Sequence, residues 1–377
     1  MKIIYLALAR IPTEKAHGLQ IMKMCQAFRK HNFEVELAAA KKGNPQFKNI
    51  DTFDYYKIKE KFPIRRLWHL DLVDFERPFK GFSALLSGAS FALALFFYLL
   101  FKKADIIYSR DEFSLFFLSF LKRNLVLELH IFPRSKFFLY KRLFKRVRKI
   151  IVITHQLKKL LIDLGVEPGK ILVAPDGVDL EQFDIKKSRE ECRQELSLPL
   201  DKKLVIYTGH LFRWKGVYVL AKASRFLSDD YQIVFVGGME NDRIRLEEFI
   251  KKNNLEKITI IKHQPPYLIP LYLKSADVLV LPNSSQEKIS RLYTSPIKMF
   301  EYMASKRPIV ASDLPSIREV LNEKNCFLFK PDNAKDLAQK IEMAINDKEK
   351  AQRAFIDVQQ YSWRQRAENI LGFIKIG

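Results

Sequence analysis

The sequence predicts an α/β protein made of two Rossmann-like domains, each built around a parallel sheet. Short runs rich in Val, Ile and Leu alternate with helical stretches through the first half of the chain, and the second half repeats this alternation. The runs are almost continuously apolar, as expected for strands that helices cover on both faces. With 377 residues, the chain is long enough for two domains of ordinary size.

The first domain is predicted over residues 1–184. Its candidate strands are the apolar runs at residues 2–8, 34–40, 105–109, 125–130 and 149–153. Its candidate helices lie between them, at residues 18–31, 83–101, 112–122 and 155–164. This strand–helix alternation predicts crossover connections and a parallel sheet.

The second domain is predicted over residues 185–360. Its candidate strands are at residues 204–208, 232–236, 258–261, 278–281, 309–311 and 327–329. Its candidate helices include residues 217–227, 243–253 and 296–304. We expect the charged stretch 184–203 to link the two domains. The last helix, within residues 361–377, follows the finished second sheet, and we expect it to pack back onto the first domain.

Composition narrows the partners and the compartment. The chain carries 65 Lys and Arg against 43 Asp and Glu, a formal charge of +22, which predicts phosphorylated ligands, nucleic acid or acidic lipid as partners. Its three cysteines, Cys25, Cys192 and Cys326, form no CxxC pair. This usage fits a reducing, cytoplasmic compartment and predicts no zinc site.

Residues 83–101 form an uncharged stretch of 19 residues, long enough for a membrane-spanning helix. However, strand-like runs lie on both sides of it. A single span would place those runs on opposite faces of the bilayer, where they could not pair in one sheet. We therefore expect a buried or surface-embedded helix rather than a span.

A helix start in the second half is a candidate anion site. Ser295 is a good N-cap residue, and Pro296 suits the first helical position. The free N–H groups and the dipole of such a helix attract anions. Lys298 and Glu301 would share one helix face, so a bound diphosphate could place a ribose against Glu301. An ordinary capped surface helix with a Lys–Glu pair explains the same pattern.

Two segments that follow predicted strands add to this site. Gly209 opens the loop after residues 204–208, where Arg213 and Lys215 could neutralise a diphosphate. Gly237 and Gly238 follow residues 232–236 and would let a ligand approach the backbone. Solvated cations and a plain strand-to-helix turn are the alternative explanations.

The first half contributes histidine candidates. His130 ends the run 125–130, where it would face a cleft between the domains, and His17 and Gly18 lie in the loop after the first strand. A structural histidine is the commoner case for either one. No Asp-x-Asp pattern occurs in the sequence, so we expect no metal ion and no other cofactor.

The order and spacing of several segments resemble family 4 of the glycosyltransferases. These segments are AHGLQIMKMCQAF, PDGVDLEQF, GHLFRWKGVYVL, ADVLVLPN, SPIKMFEYMA, PIVASDLPSIREVL and the closing YSW. The resemblance covers nearly the whole chain. It implies the GT-B fold, in which the two domains face each other across a cleft, and sugar transfer with retention of anomeric configuration. The first domain would bind the acceptor and the second a UDP- or GDP-sugar donor.

The resemblance also implies roles for individual residues. It assigns Arg213 and Lys215 to the donor diphosphate and Glu301 to the ribose. The backbone of Ser295, Pro296 and Ile297 would face the phosphates.

In the first domain, the resemblance implies that His130 lies beside the donor sugar and that Gly18 belongs to a loop that closes on the donor. Tyr293 stands where many family members carry a first glutamate, eight positions before Glu301. This departure leaves the identity of the sugar open.

The basic excess also predicts a location. Residues 134–149 contain no acid and mix aromatic residues with cations, which suits docking on anionic lipid headgroups. A solvated helix face is the alternative explanation. We therefore expect a peripheral enzyme at the inner face of the cell membrane that extends a cell-surface polysaccharide or a lipid-linked glycan.

Two rival functions stay open at this level. A nucleic-acid-binding protein would explain the charge, but it leaves the two sheets and Glu301 unexplained, and no nucleic-acid-binding motif is visible. An inactive or epimerase-type GT-B protein that binds a sugar nucleotide would keep the same site.

Overall fold

The computed structural model describes residues 1–71, 76–131 and 137–375, and the side chains within these ranges except for residues 76–82 and 137–139. The chain forms two compact units. The first unit is Met1–Pro175 with Trp363–Gly377, and the second unit is Asp176–Ser362.

The first unit contains a seven-stranded sheet in the order β3-β2-β1-β4-β5-β6-β7, and its strand pairs are parallel. The strands are β1 (Lys2–Ala7), β2 (Glu34–Ala40), β3 (Ile64–Leu67), β4 (Ile106–Ser109), β5 (Leu125–Leu129), β6 (Lys149–Val152) and β7 (Ile171–Val173). The helices are α1 (Ala16–Lys30), α2 (Thr52–Tyr55), α3 (Glu76–Leu100), α4 (Glu112–Leu118), α5 (Phe137–Arg146) and α6 (His155–Asp163).

The second unit contains a six-stranded parallel sheet in the order β10-β9-β8-β11-β12-β13. Its strands are β8 (Lys203–Thr208), β9 (Tyr231–Val236), β10 (Ile258–Ile261), β11 (Val278–Leu281), β12 (Ile309–Ser312) and β13 (Phe327–Phe329). Its helices are α7 (Leu180–Phe183), α8 (Arg189–Glu195), α9 (Val217–Ala223), α10 (Glu240–Lys252), α11 (Ile269–Ser275), α12 (Lys288–Leu292), α13 (Ile297–Ala304), α14 (Pro315–Arg318), α15 (Ala334–Ala344) and α16 (Glu349–Asp357).

The last helix, α17 (Trp363–Lys375), belongs to the first unit and packs against α1. Ile370, Leu371 and Ile374 are buried on its inner face. The chain therefore crosses twice between the units, once near Pro175 and once near Ser362.

Two parallel α/β sheets are what the apolar runs predict, and each of the eleven predicted strands is present. The pattern missed β3 and β7, the outermost strands of the first sheet. β3 has the sequence Ile-Arg-Arg-Leu and is only half-buried, because an edge strand has one neighbour and exposes polar side chains. β7 is three residues long, the same length as β13, which the sequence analysis did find.

The stretch 184–203, predicted to be a linker, is instead a packed part of the second unit. Ser188 and Glu191 form a capping box that starts α8. Arg193 is buried, with its Nη2 2.5 Å from Asp277 Oδ2, and its Nε donates to the carbonyl of Ser275 at 2.9 Å. One of the charges of this stretch, that of Arg193, therefore belongs to a buried ion pair inside the second unit.

The unit boundary also lies earlier than residue 184. The N–H of Asp176 donates to Ser295 Oγ at 3.3 Å, and the N–H of Val178 donates to the carbonyl of Tyr361 at 2.9 Å. Because these bonds are made within the second unit, residues 176–184 fold with it rather than with the first unit.

Helix α3 contains the uncharged stretch. Among the described residues, Ser83–Leu100 is the one helical segment long and apolar enough to cross a membrane, judged by length and composition alone, and one third of it is buried. β1 precedes α3 and pairs directly with β4, which follows it. This is the pairing within one sheet that argued for an embedded helix.

Candidate functional site

Each sheet has a point at which the strand order reverses. In the first unit this point lies between β1 and β4, and in the second unit it lies between β8 and β11. Ligands of open α/β sheets bind beyond the carboxyl ends of the strands at such points. The segments that leave β8 and β11 are therefore the first place to look for a site in the second unit.

In the turn after β8, the backbone of Gly209 lies close to the side chain of Lys298. Gly209 has a φ of +115°, and a Cβ at this position would lie 2.9 Å from Lys298 Nζ. Gly237, at the end of β9, has a φ of +122°, and its Cβ would lie 2.7 Å from the carbonyl oxygen of Gly209. The two glycines thus keep the ends of β8 and β9 close together at this edge.

The loop that carries the predicted diphosphate cations is held by β11. Arg213–Lys215 form a single 3₁₀ turn, and Gly216 ends it with a φ of +74°. A Cβ on Gly216 would lie 1.7 Å from the carbonyl oxygen of Pro282, the residue after β11. The N–H of Ser284 also donates to the carbonyl of Trp214 at 3.0 Å. The loops after β8 and β11 therefore pack backbone to backbone.

The two predicted cations differ in their surroundings. Arg213 is exposed, whereas Lys215 is half-buried with its Nζ 3.9 Å from the centre of the Trp214 ring. Burial lowers the pKa of Lys215 to about 7. Lys215 therefore belongs to the buried part of the site, and Arg213 lies at its solvent-exposed side.

Helix α13 begins one residue later than predicted. Pro296 is the N-cap residue and makes no side-chain cap, while Ile297 is the first helical residue. The prediction that Ser295 caps the helix is wrong, because its hydroxyl accepts the N–H of Asp176 instead. The first N–H groups of α13 are consequently not satisfied by a capping side chain.

Lys298 is the most unusual residue of the site. Its Nζ is buried, lies 3.6 Å from the centre of the Tyr207 ring, and has no hydrogen-bond partner in the described part of the chain. Burial, together with repulsion from Lys215, holds the pKa of Lys298 well below its usual range, although Glu301 acts in the opposite direction. A buried ammonium without a partner is costly, so this group is poised for an anion.

Glu301 lies one turn further along α13 and interacts electrostatically with Lys298, as their spacing predicts. Burial raises the pKa of Glu301 to about 7, and the attraction of Lys298 only partly offsets this. Perturbed pKa values on neighbouring buried groups are typical of functional sites.

Tyr302 holds α13 against the end of β8. Its hydroxyl oxygen accepts the N–H of Thr208 at 2.8 Å, and its side chain is fully buried. This bond fixes the position of α13 relative to the Gly209 turn. The structure therefore brings together Gly209, Lys215, Lys298, Glu301 and the start of α13.

Gly238, also predicted to belong to the site, approaches Leu211 rather than Lys298 or Gly209. A Cβ on it would lie 2.5 Å from Leu211 Cδ1, and its φ is +80°. The left-handed φ of Gly238 favours glycine there, and the close approach to Leu211 adds to this preference.

In the first unit, His130 is part of a buried polar network that the sequence analysis missed. His130 Nε2 lies 2.5 Å from Glu128 Oε1, since the two residues point to the same face of the strand end. Glu128 is fully buried near the carboxyl end of β5. Gln20 Nε2 donates to Glu128 Oε1 at 2.7 Å, and the hydroxyl of Tyr108 donates to Glu128 Oε2.

The charge of Glu128 is balanced by Arg366 from helix α17. Arg366 Nη2 lies 2.9 Å from Glu128 Oε1, and both side chains are almost completely buried. Burial alone would raise the pKa of Glu128, but Arg366 and His130 hold it well below its usual range. Glu128 could have been found from the sequence, because a charge inside the apolar run LVLEL requires a buried partner. The identity of that partner, more than 200 residues away, could not.

Gly18 was predicted both as the first residue of the helix 18–31 and as part of the loop before it, and the structure places it in the helix. It lies in the first turn of α1 and is buried. A Cβ there would lie 2.4 Å from the hydroxyl of Tyr56 and 2.6 Å from Thr13 Cγ2. That hydroxyl donates to the carbonyl of Thr13 and accepts its N–H. Gly18 thus leaves room for the bonds that fix the loop before α1.

Two family models match the chain, one in each half. The model described as Glycosyltransferase Family 4 matches residues 18–182, and the model described as Glycosyl transferases group 1 matches residues 188–357.

Curated relatives align over part of their length. TuaC of Bacillus subtilis strain 168, whose name assigns it to teichuronic acid biosynthesis, is 27% identical over 218 residues, which are 57% of this chain and 52% of TuaC. N,N'-diacetylbacillosaminyl-diphospho-undecaprenol alpha-1,3-N-acetylgalactosaminyltransferase of Campylobacter jejuni is 27% identical over 62% of this chain and 60% of its own. The chain spans about half the length of the first of these relatives and somewhat more of the second.

Solved structures match over the whole chain. Alr3699/HepE of Anabaena in complex with UDP has a TM-score of 0.78 at 17% identity and covers 100% of both chains. Sucrose-phosphate synthase of Thermosynechococcus elongatus also has a TM-score of 0.78, at 18% identity, over 100% of this chain and 98% of its own. At such identities the likeness concerns the fold.

Proposed function

Because the chain belongs to the glycosyltransferases of family 4 and has the GT-B fold, we propose that it transfers a sugar from a nucleoside diphosphate sugar to an acceptor hydroxyl with retention of anomeric configuration. The observation that carries this proposal is the buried Lys298 ammonium in the first turn of α13, which has no hydrogen-bond partner in the described part of the chain and interacts electrostatically with Lys215. Two neighbouring cations and free helix N–H groups are suited to a diphosphate.

The proposed chemistry is electrostatic. Breaking the anomeric bond leaves negative charge on the departing diphosphate, and fixed donors aimed at that charge lower the barrier. Lys215, Lys298 and the first N–H groups of α13 would stabilise it, with Arg213 at the exposed side. Lys298 is held over Tyr207 by burial and needs little reorganisation when the anion arrives.

Glu301 would bind the ribose of the donor. As a carboxylate it accepts hydrogen bonds from two hydroxyls, and its position on α13 keeps it close to Lys298. A uridine nucleotide is favoured over the alternatives because similar structures hold UDP or UDP-glucose.

The setting is proposed from the names of the relatives. One is named for teichuronic acid biosynthesis, and another carries a diphospho-undecaprenol acceptor in its name. We infer that this chain builds a cell-surface polysaccharide or extends a lipid-linked glycan. His130 is the candidate for contact with the transferred sugar in this reaction.

The proposal is tested by calorimetric binding of UDP and by donor hydrolysis across a panel of UDP- and GDP-sugars. Glu301→Ala and Lys298→Met should each weaken UDP binding at least about tenfold, because each removes a charged contact. Glu342→Ala, an exposed change on α15, is the matched control and should bind like wild type.

His130→Ala separates binding from chemistry. It should keep wild-type affinity for UDP and lose sugar transfer. If neither Glu301→Ala nor Lys298→Met changes UDP affinity, the donor site is assigned wrongly.

A further inference from the structure

Helix α3 presents a face of large apolar side chains to solvent. We call this set, together with Phe101 directly after the helix, the α3 face. Its members and exposed fractions are Leu85 (41%), Leu93 (59%), Phe96 (38%), Phe97 (61%), Leu100 (39%) and Phe101 (90%). The opposite side of the helix is packed, with Phe91, Leu95 and Leu99 fully buried. The packing of the unit is thus satisfied by one side of α3, and the other side is left in water.

Helix α4, which packs against α3, and the residues after it also expose aromatic side chains. A Cβ at Gly88 of α3 would lie 3.2 Å from the ring of Phe113, so the two helices are in close contact there. Phe113 contacts Phe117 with ring centres 4.9 Å apart, and Phe117 is 47% exposed. Phe120, with 55% of its surface exposed, extends this aromatic surface towards α5.

Helix α5 borders the aromatic surface with cations. Arg142 and Arg146 lie over the ring of Phe120, at 5.0 Å and 4.4 Å from its centre. Lys141 and Lys145 are exposed on the same helix, whose described inner residues Leu143 and Phe144 are buried. Within the predicted basic segment 134–149, residues 137–146 form the cationic helix α5. Residues 134–136 of that segment lie outside the described residues.

We propose that the α3 face and the cations of α5 together form a docking surface for a bilayer that contains anionic lipid, with α3 lying in the interface and not crossing it. Apolar and aromatic side chains bordered by Arg and Lys match the two layers of such an interface, acyl chains below and anionic headgroups above. The pairing of β1 with β4 explains why the helix stays on one side, because both strands must remain in the same sheet.

A second copy of the chain is the rival occupant of the α3 face. The charge pattern argues against it, because two copies would bring like-charged α5 helices towards one another, whereas anionic headgroups are complementary to them. The proposal concerns location, goes beyond the donor chemistry and does not depend on it.

The first test is co-sedimentation with vesicles of phosphatidylcholine alone and with vesicles that contain 30% phosphatidylglycerol. We expect binding to the anionic vesicles and much less to the neutral ones. Lys141→Gln with Lys145→Gln should weaken binding about 25-fold, since each cation near an anionic surface contributes about a fivefold factor. The matched control, Lys251→Gln with Lys252→Gln on α10, removes the same charge from exposed positions of the second unit and should bind like wild type.

The apolar part is tested separately. Leu93→Gln with Phe97→Gln should weaken vesicle binding about 100-fold, because two large side chains then fail to enter the bilayer. Met343→Gln, which changes an apolar side chain that is 59% exposed on α15, should have no effect. Circular dichroism and thermal unfolding of each variant verify that it folds.

A fluorescent probe on the α3 face measures how deeply this face enters the bilayer. The three native cysteines are buried, so Phe97→Cys can be labelled selectively with an environment-sensitive dye. Its emission should shift to the blue with anionic vesicles and be quenched by lipid-borne quenchers, whereas the same dye at Met343→Cys should not respond. Alkaline carbonate should release the bound protein.

Three results would overturn the proposal. They are equal binding of all variants, retention in the membrane after carbonate treatment, which indicates a span, and vesicle-independent dimerisation that Phe97→Gln abolishes. Glu301→Ala should bind vesicles like wild type, so failure of the donor site and failure of the docking surface can be told apart.

Discussion

Arg366 Nη2 of the last helix lies 2.9 Å from Oε1 of Glu128, near the carboxyl end of β5, and the two side chains are 3% and 0% exposed. Arg366 Nε also donates to the carbonyl of Pro175 at 2.8 Å. Pro175 is the last residue of the first unit before the chain enters the second. The buried guanidinium of Arg366 thus connects α17 with β5 and with Pro175, where the chain leaves the first unit. The return of α17 to the first unit is needed for charge balance as well as for apolar burial.

Removing either partner of this pair should cost far more stability than removing both. Arg366→Ala leaves a buried carboxylate without its counter-charge, and we expect a loss of about 3–5 kcal/mol in the free energy of unfolding. The double variant Glu128→Leu with Arg366→Met should lose less stability than either of its single variants, Glu128→Leu and Arg366→Met. Urea denaturation followed by circular dichroism measures this cycle.

Arg364→Ala is the control for that experiment, since Arg364 is exposed on the same helix. It should change stability by less than about 0.5 kcal/mol. Additive losses in the cycle would show that the pair contributes nothing beyond its separate parts.

The pH dependence of donor binding should be bell-shaped with a maximum near pH 7. Glu301, with a pKa of about 7, becomes protonated on the acid side and can no longer accept hydroxyl bonds as a carboxylate. Lys215, also with a pKa of about 7, loses its proton on the alkaline side and no longer attracts the diphosphate. UDP-glucose is a suitable ligand for calorimetry, because its diphosphate has no terminal phosphate group to titrate near neutrality.

Substitutions of the titrating groups identify the two limbs of that profile. Glu301→Gln should remove the acid limb and leave the alkaline one. Lys298 also has a lowered pKa and faces the same diphosphate, so the double variant Lys215→Met with Lys298→Met should do the reverse, each variant with weaker binding at the optimum. A profile that keeps both limbs in either variant would assign the titrating groups elsewhere.

The apolar runs were sufficient to predict both sheets, because buried parallel strands leave a continuous Val/Ile/Leu signal that edge strands such as Ile64–Leu67 lack. Residue type and spacing also located Lys298 and Glu301 on one face of α13. The sequence could not show that Lys298 is unpaired, because this depends on Tyr207 of β8 and on Gly209 in the turn after it.

Charge was the least reliable guide. The charged stretch 184–203 suggested a linker, yet Arg193 is buried against Asp277. Conversely, Glu128 gives the first unit a buried ion pair that only long-range packing completes. A sequence shows which residues carry charge, whereas the three-dimensional partners decide whether that charge is solvated, paired or left open for a ligand.

Gly216→Ala should disrupt the donor loop. The substitution meets two obstacles, a φ of +74° and a Cβ that would lie 1.7 Å from the carbonyl oxygen of Pro282. Backbone cannot yield as a flexible side chain does, so we expect a loss of about 3 kcal/mol or more in stability together with weakened UDP binding. Gly43→Ala is the control, because a Cβ there meets nothing within 4 Å and its effect should be small. Wild-type stability and affinity in Gly216→Ala would mean that the loops after β8 and β11 are not in fixed contact.

Lys298→Met should stabilise the protein while it weakens donor binding. The wild-type ammonium is buried beside a second cation, and a side chain of similar volume without charge removes that cost while keeping the contact with Tyr207. We expect a gain of about 1–2 kcal/mol in the free energy of unfolding in the absence of ligand. Thermal shift measures both effects at once: the variant should start at a higher Tm and gain less from UDP than wild type. Lys222→Met, an exposed change on α9, should alter neither value. A variant that is destabilised without ligand would show that Lys298 is a structural residue whose charge the fold itself requires.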